Sequence, residues 1–399
     1  MSFSTVLLFF IAFRLADWLI SYLAPFFIPY LGFFPYKEIA IQYNLPKFLT
    51  AFANFDGAHY LLIAKNGYSQ YQQAFFPLYP LLIRWLSPLF FNNYLITGLL
   101  ISNISFLAGL FIFSKYLKQI SSSSSKFHPV PTILLLIMFP TSFFFGAVYT
   151  EGLFFFLIIS CLYSLKKKKF LFASLFAFFA ALTKFVGVFL LIPILFTVNR
   201  SNESIHWSKK LLLLLSPVVG ISLYSLFLFQ TTGDPFFFLN SQWAFGAHRS
   251  SNIILLPQVY YRYLNIFFTA RFNFQYFIAL FEFTTFTFVL IIVILNLIQD
   301  LLSKNQMPKS IRQAQDPEYI EGQVRHDHLG LGLFSLVNLL LPTLTGTFSS
   351  IPRYALFSLS FFLYLSQIKN TSIKIAITII FVISHLIMLS FFSQGYFIS

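Results

Sequence analysis

The stretch "NFDGAHYLLIAKNGY", residues 54–68, sets Asp56 and His59 three positions apart between apolar runs. On a helix that spacing puts both side chains on one face, with Tyr60 beside them. A carboxylate so placed can take a proton from a hydroxyl, and a histidine one turn away can orient the partner. A pocket at a lipid surface would raise the pKa of Asp56 and make it a stronger base. The other reading of Asp56 is an N-cap for a helix beginning at Gly57, worth about 1 kcal/mol. Farther along, Glu151 opens an apolar run, where a carboxylate suits the first turn of a helix. Lys184 and Arg353 each interrupt apolar stretches. A charge at the bilayer centre costs about 2.5–3.5 kcal/mol, so each wants an anion. A phosphate would serve, gripped by two prongs of arginine or by the point charge of lysine. Snorkelling to lipid headgroups is the plainer alternative. Arg84 and Arg249 are weaker versions of the same idea. Arg14 and Asp17, at i and i+3 in the first apolar run, read as a structural pair.

The elements that must carry these groups follow from composition. Of the 399 residues, 58% are hydrophobic and only 10% charged, against about 25% charged in soluble domains. Apolar runs of span length recur along the whole chain. The fold class is therefore all-α, a polytopic transmembrane helical bundle, because lipid leaves every backbone polar group to be paired within the chain. The runs are continuous rather than alternating, which excludes a porin-like barrel. The first run has no basic start and no small-residue cleavage site after it, so it reads as a retained span. The net charge of +14 reflects basic loops facing anionic lipid. No basic soluble domain exists to hold a nucleic acid.

Spans are predicted at about 5–30, 94–114, 131–146, 150–165, 170–182, 186–198, 211–229, 275–298, 329–345, 354–368 and 375–393. Basic stretches at 115–128, 166–169, 199–210, 299–328 and at Lys369 and Lys374 are assigned to the cytoplasmic side. Residues 31–93 then form a first extracytoplasmic loop. Within it, 74–91 carries Pro77, Pro80, Pro88 and Arg84 and reads as re-entrant or surface-lying rather than crossing. Residues 299–330 form a polar cytoplasmic loop with the look of an insert. His326 and His328 flank Asp327 there, but no further ligands stand nearby, so no metal site is read. With this topology Asp56, His59, residues 139–154, 182–187, 233–249 and 351–357 all collect on the extracytoplasmic side.

Four blocks together resemble one family. "NFDGAHYLLIAKNGY" with "AFFPLYPLLIR", then "FPTSFFFGAVYTEGLFFFL", "LTKFVGVFLLIPIL" and "PRYALF", are similar in kind and order to the motifs of the PIG-V type mannosyltransferases and their bacterial relatives. Phe55 stands where the family usually has Trp, and Lys184-Phe185 where it usually has Arg-Pro. The resemblance implies a GT-C fold in one domain over 1–399, with an outward-facing site in the first large loop. It implies a polyprenyl-phosphate sugar donor, with mannose as the sugar, inversion at the anomeric carbon, and no metal or other cofactor. The acceptor is then a hydroxyl of a lipid, glycan or protein in or at the cell membrane.

On that resemblance Asp56 is the catalytic base. His59, Tyr60, Glu151, Lys184 and Arg353 bind substrate or phosphate, with Glu151 placed to meet sugar hydroxyls. A transporter or flippase of a lipid-linked sugar is the rival reading, weakened by the lack of a repeated half with paired broken helices. Either way, residues 56 and 353 must share one cavity.

Overall fold

The computed structural model describes all residues except 32–36, 122–128, 200–205, 246–248, 251, 306–317 and 399; at 37, 40, 303–305 and 318–327 it describes the backbone alone. No strand occurs among the described residues. The first helix, α1 (Phe3–Leu23), is capped by Ser2, whose Oγ accepts from Thr5 N at 3.2 Å. Four short helices follow: α2 (Lys37–Ile41), α3 (Lys47–Thr50), α4 (Asp56–Asn66) and α5 (Leu78–Leu86). Then come α6 (Tyr94–Ser121), α7 (Pro129–Ile137), α8 (Glu151–Lys166), α9 (Phe170–Thr183) and α10 (Leu191–Val198). The second half holds α11 (Trp207–Thr232), α12 (Phe237–Asn240), α13 (Leu256–Thr269), α14 (Phe274–Asn305) and α15 (Glu318–Leu340). It closes with α16 (Ile351–Ala355), α17 (Leu359–Ser366) and α18 (Thr371–Ser393).

Six of these segments are long and apolar enough to cross a membrane: Phe3–Phe26, Tyr94–Ser121, Trp207–Thr232, Phe274–Leu302, His328–Thr345 and Thr371–Ser393. The chain is an integral, multi-pass membrane protein. The remaining predicted spans are shorter or interrupted. The run 131–146 breaks into α7 and a 3₁₀ turn at Ser142–Gly146; the run 170–182 corresponds to α9, and 186–198 divides into a 3₁₀ turn, Phe185–Leu190, and α10. The run 354–368 yields only α17, of eight residues. Apolar composition alone marks these breaks poorly. Irregular backbone at membrane depth is tolerated where protein rather than lipid surrounds it, and Phe143, Phe144, Phe145, Val186 and Leu190 are all buried. The segment 74–91 contains the nine-residue α5, about 14 Å of helix against a hydrocarbon core of about 30 Å. Both ends of the predicted 299–330 loop are helical, as α14 runs to Asn305 and α15 begins at Glu318.

The core is built around α8. It packs between α6 and α9, and α9 in turn lies against α11. The face of α8 that opens on the site is its N-terminal end, so burying the rest of the helix fixes where Glu151 stands.

A buried polar cluster fastens α1 to α18. Arg14 Nη1 meets Asp17 Oδ2 at 2.6 Å, which is the structural pair read from the sequence. His385 of α18 adds a third member, with Nε2 at 2.8 Å from Asp17 Oδ1 and Nδ1 at 3.1 Å from Ser142 Oγ. Arg14 Nη2 also donates to Gly146 O at 3.3 Å. All three ionisable side chains are buried. Removing one partner from such a cluster strands a charge, whereas the intact set is compensated. The cluster also explains Gly146: a Cβ at that position would collide with the Arg14 guanidinium. Gly146→Ala is expected to destabilise the protein by about 1–3 kcal/mol through overpacking, read as a lowered thermal midpoint in detergent.

Candidate functional site

The six residues singled out in the sequence line one open cavity of about 860 Å³: Asp56, His59, Tyr60, Glu151, Lys184 and Arg353. They arrive from four parts of the chain. Asp56 is the first residue of α4, and the chain reaches it through Phe55, a bulky residue held at φ +56°. A positive φ is unfavourable for such a side chain and persists only where its surroundings enforce it. The Phe55 ring packs 5.7 Å from Phe392 and 5.2 Å from Phe397, which hold it there. The capping role considered for Asp56 is not what this end of the helix uses, since no side-chain cap bond is made. The carboxylate faces Arg353 instead, Nη1 to Oδ2 at 2.7 Å.

Arg353 sits on the five-residue α16, entered through Ser350 in the left-handed region at φ +68°. Its guanidinium lies 5.2 Å from the Phe144 ring and 5.4 Å from the Tyr149 ring, so aromatic faces hold it flat toward Asp56. Burial alone would push the Asp56 carboxyl up, and it is the largest single influence. The Arg353 charge and hydrogen bond, with His59 and Arg249 adding to them, outweigh it and bring the carboxyl below its usual range. This corrects the expectation that the pocket raises Asp56: an opposite charge in contact beats desolvation here. Arg353 shows the mirror effect. Burial lowers its pKa, but Asp56 and Glu151 more than restore it, and the net shift is upward.

His59 lies on the same face of α4. Its ring stacks on Phe75 at 4.9 Å and meets Phe245 edge-on at 5.3 Å. Gln72 Nε2 is 3.3 Å from Nδ1. An amide nitrogen only donates, so Nδ1 accepts and the ring proton sits on Nε2. Burial lowers the His59 pKa against the pull of Asp56, which agrees with a neutral ring. Tyr60 is largely buried, edge-on to Phe75, Tyr79 and Tyr149, so it packs the floor of the cavity more than it reaches into it.

Glu151 and Lys184 form the second ion pair, Nζ to Oε1 at 2.7 Å. Lys184 Nζ lies 4.9 Å from the Tyr354 ring and 5.0 Å from the Phe357 ring. The sequence marked Lys184 as a cation in want of an outside anion, but the fold supplies Glu151. Arg84, the weaker candidate, is spent elsewhere: it donates to Ala64 O at 2.6 Å and Ile63 O at 2.9 Å and closes the C-terminal end of α4. Among the described residues no group of three or more His, Cys, Asp or Glu converges as a metal site would require. The side chains of His326 and Asp327 lie outside the described residues.

Sequence reasoning underrated two residues on the cavity wall. Arg249 donates to Gln242 Oε1 at 3.1 Å and to Ser350 Oγ at 3.0 Å. Ser350 had no signal in the sequence beyond its closeness to Arg353. Apolar side chains complete the lining, among them Phe76, Phe185, Val186, Phe238 and Leu239. The cavity thus joins two ion pairs and a third cation to a greasy face, the layout of a site for an amphiphile with a charged head.

A family model described as Mannosyltransferase (PIG-V) matches residues 3–205. That region includes Asp56, His59, Tyr60, Glu151 and Lys184, while Arg249 and Arg353 lie beyond it. No curated protein and no solved structure matches the chain.

Proposed function

From the premise that the chain belongs to the mannosyltransferase (PIG-V) family, and is therefore a membrane glycosyltransferase with a sugar donor and an acceptor, we propose that its donor is a polyprenyl-phosphate sugar, with mannose the expected sugar. On this reading Asp56 is the general base. It takes the proton of the acceptor hydroxyl as that oxygen bonds to the anomeric carbon. The bond from that carbon to the phosphate oxygen breaks, and the polyprenyl phosphate leaves with the electron pair. A single displacement of this kind inverts the anomeric centre. Arg353 meets the negative charge growing on the departing phosphate, the kind of fixed donor that lowers a barrier without reorganising. His59, on the cavity lining one turn from Asp56, is placed to orient a hydroxyl of either substrate. The Glu151–Lys184 pair offers both an acceptor and a donor to sugar hydroxyls. The reading calls on no metal or other cofactor, and it places the site on the extracytoplasmic face because the basic stretches at 115–128 and 166–169 are assigned to the other side.

The observation that carries this reading is the 2.7 Å contact between Asp56 and Arg353, 297 residues apart in sequence, on the wall of a mostly apolar cavity. What separates this pair from the buried Arg14–Asp17–His385 cluster is that both of its members line the cavity. The test is the purified full chain in vesicles with radiolabelled polyprenyl-phosphate mannose and a membrane lipid extract as the acceptor source. Label is expected to leave the polyprenyl-phosphate fraction for a new product. Label that crosses the vesicle membrane still attached to its carrier would establish the transport reading instead.

A further inference from the structure

We propose that Arg249 and Ser350, rather than Lys184, complete the phosphate-binding site with Arg353, a deepening that rests on the donor reading above. Three observations converge. The first is the hydroxyl of Ser350, which accepts from Arg249 Nη2 at 3.0 Å and from Arg353 Nη2 at 3.2 Å. With both lone pairs taken by guanidinium donors, its own hydrogen points elsewhere and can go to a third group. Two guanidinium groups are thus held at one oxygen, an arrangement that like-charge repulsion opposes and that the one carboxylate of Asp56, bonded to Arg353, offsets only in part.

The second is charge balance. Among the described residues, the cavity wall sets Asp56 and Glu151 against Lys184, Arg249 and Arg353. Lys184 is held by Glu151 and Arg353 by Asp56, while both bonds of Arg249 go to neutral groups. Counted on the wall alone, the excess is one positive charge and it rests on Arg249, with Glu282, buried outside the wall, acting on it as a second carboxylate beside Asp56. A phosphodiester carries one negative charge, so the lipid-phosphate sugar neutralises this excess. Burial lowers the Arg249 pKa despite the nearby Asp56, as befits a cation whose counter-charge is only partly supplied.

The third is rigidity. The segment bearing Arg249 is stitched to the segment before Ser350 by two backbone bonds, Ser250 N to Thr345 O at 2.8 Å and Ile254 N to Leu344 O at 2.9 Å. Arg262 Nη1 adds a bond to Gly346 O at 3.1 Å. Arg249, Ser350 and Arg353 are therefore fixed relative to one another before any ligand arrives, which lowers the cost of binding.

The experiment measures binding of polyprenyl phosphate to the full chain in nanodiscs, with the unphosphorylated polyprenol as the reference ligand. The unaltered protein is expected to prefer the phosphate. Arg249→Gln should cut that preference about tenfold or more, the worth of a charge-assisted hydrogen bond, and leave polyprenol binding and the thermal midpoint unchanged. Arg249→Lys should recover part of the preference. The double variant Glu151→Gln/Lys184→Met, which removes that pair without stranding a charge, should lose less than Arg249→Gln. A preference unmoved in Arg249→Gln, or one lost more in the double variant, overturns the assignment while leaving the donor reading in place. No preference in the unaltered protein overturns the donor reading and this assignment with it. Loss of polyprenol binding along with the phosphate preference in Arg249→Gln shows a merely structural role and overturns it as well.

Discussion

Asp56→Asn is expected to slow sugar transfer by about 10²–10⁴-fold, the usual worth of a positioned general base. The amide keeps the size of the side chain and an oxygen for Arg353, so the helix start and the strained Phe55 need not move. What it removes is the ability to accept a proton. The loss should fall on the chemical step with donor binding retained, and a single-turnover assay on labelled donor separates the two. An unchanged rate in folded Asp56→Asn protein would remove Asp56 from the chemistry. The pH dependence should follow the same group. Asp56 must be ionised to act, and Arg353 holds its carboxyl below the usual range. Transfer should therefore survive on the acid side to lower pH than an ordinary carboxylate of pKa about 4 would allow.

Arg353→Gln is expected to cost about 10²–10³-fold in transfer, the scale seen when one preorganised donor to a developing anion is removed. Its second effect distinguishes it from a general loss of structure. Without the guanidinium, burial acts on Asp56 with less opposition and its pKa rises. The acid limb of the remaining activity should then move to higher pH. A reduced rate with an unmoved limb would mean that Arg353 serves the phosphate but does not set the base.

The scarcity of charge made much of this site legible in the sequence. In a chain with 12 acidic and 26 basic residues, those that interrupt apolar runs stand out, and Asp56, Glu151, Lys184 and Arg353 do line one cavity. Their pairing was not legible. That Lys184 meets Glu151 and Arg353 meets Asp56 depends on how α8, α9, α4 and α16 pack, and no spacing encodes it. Nor was the sign of the Asp56 shift, because burial and ion pairing act in opposite directions and only the distance to Arg353 decides between them. Arg249 hides in a loop of ordinary composition, where a basic residue draws little notice. His385 looks like a lone histidine in an apolar helix until Asp17 is seen against it. The long spans were readable because lipid demands continuous apolar helix. The shortness of α7, α10 and α17 within their predicted runs was not, because protein-enclosed apolar segments look the same in sequence whether or not they continue.

The clasp between Asp17 and His385 joins positions 368 residues apart. At a synthesis rate of ~5–20 residues per second, roughly 20–70 s separate the emergence of one from the other. Throughout that interval α1 waits in the translocation machinery or the bilayer with Arg14 and Asp17 already paired but their third partner unmade. The clasp can therefore close only once α18 is delivered. A nascent chain that stalls before residue 385 leaves the Asp17 carboxylate without this partner from α18.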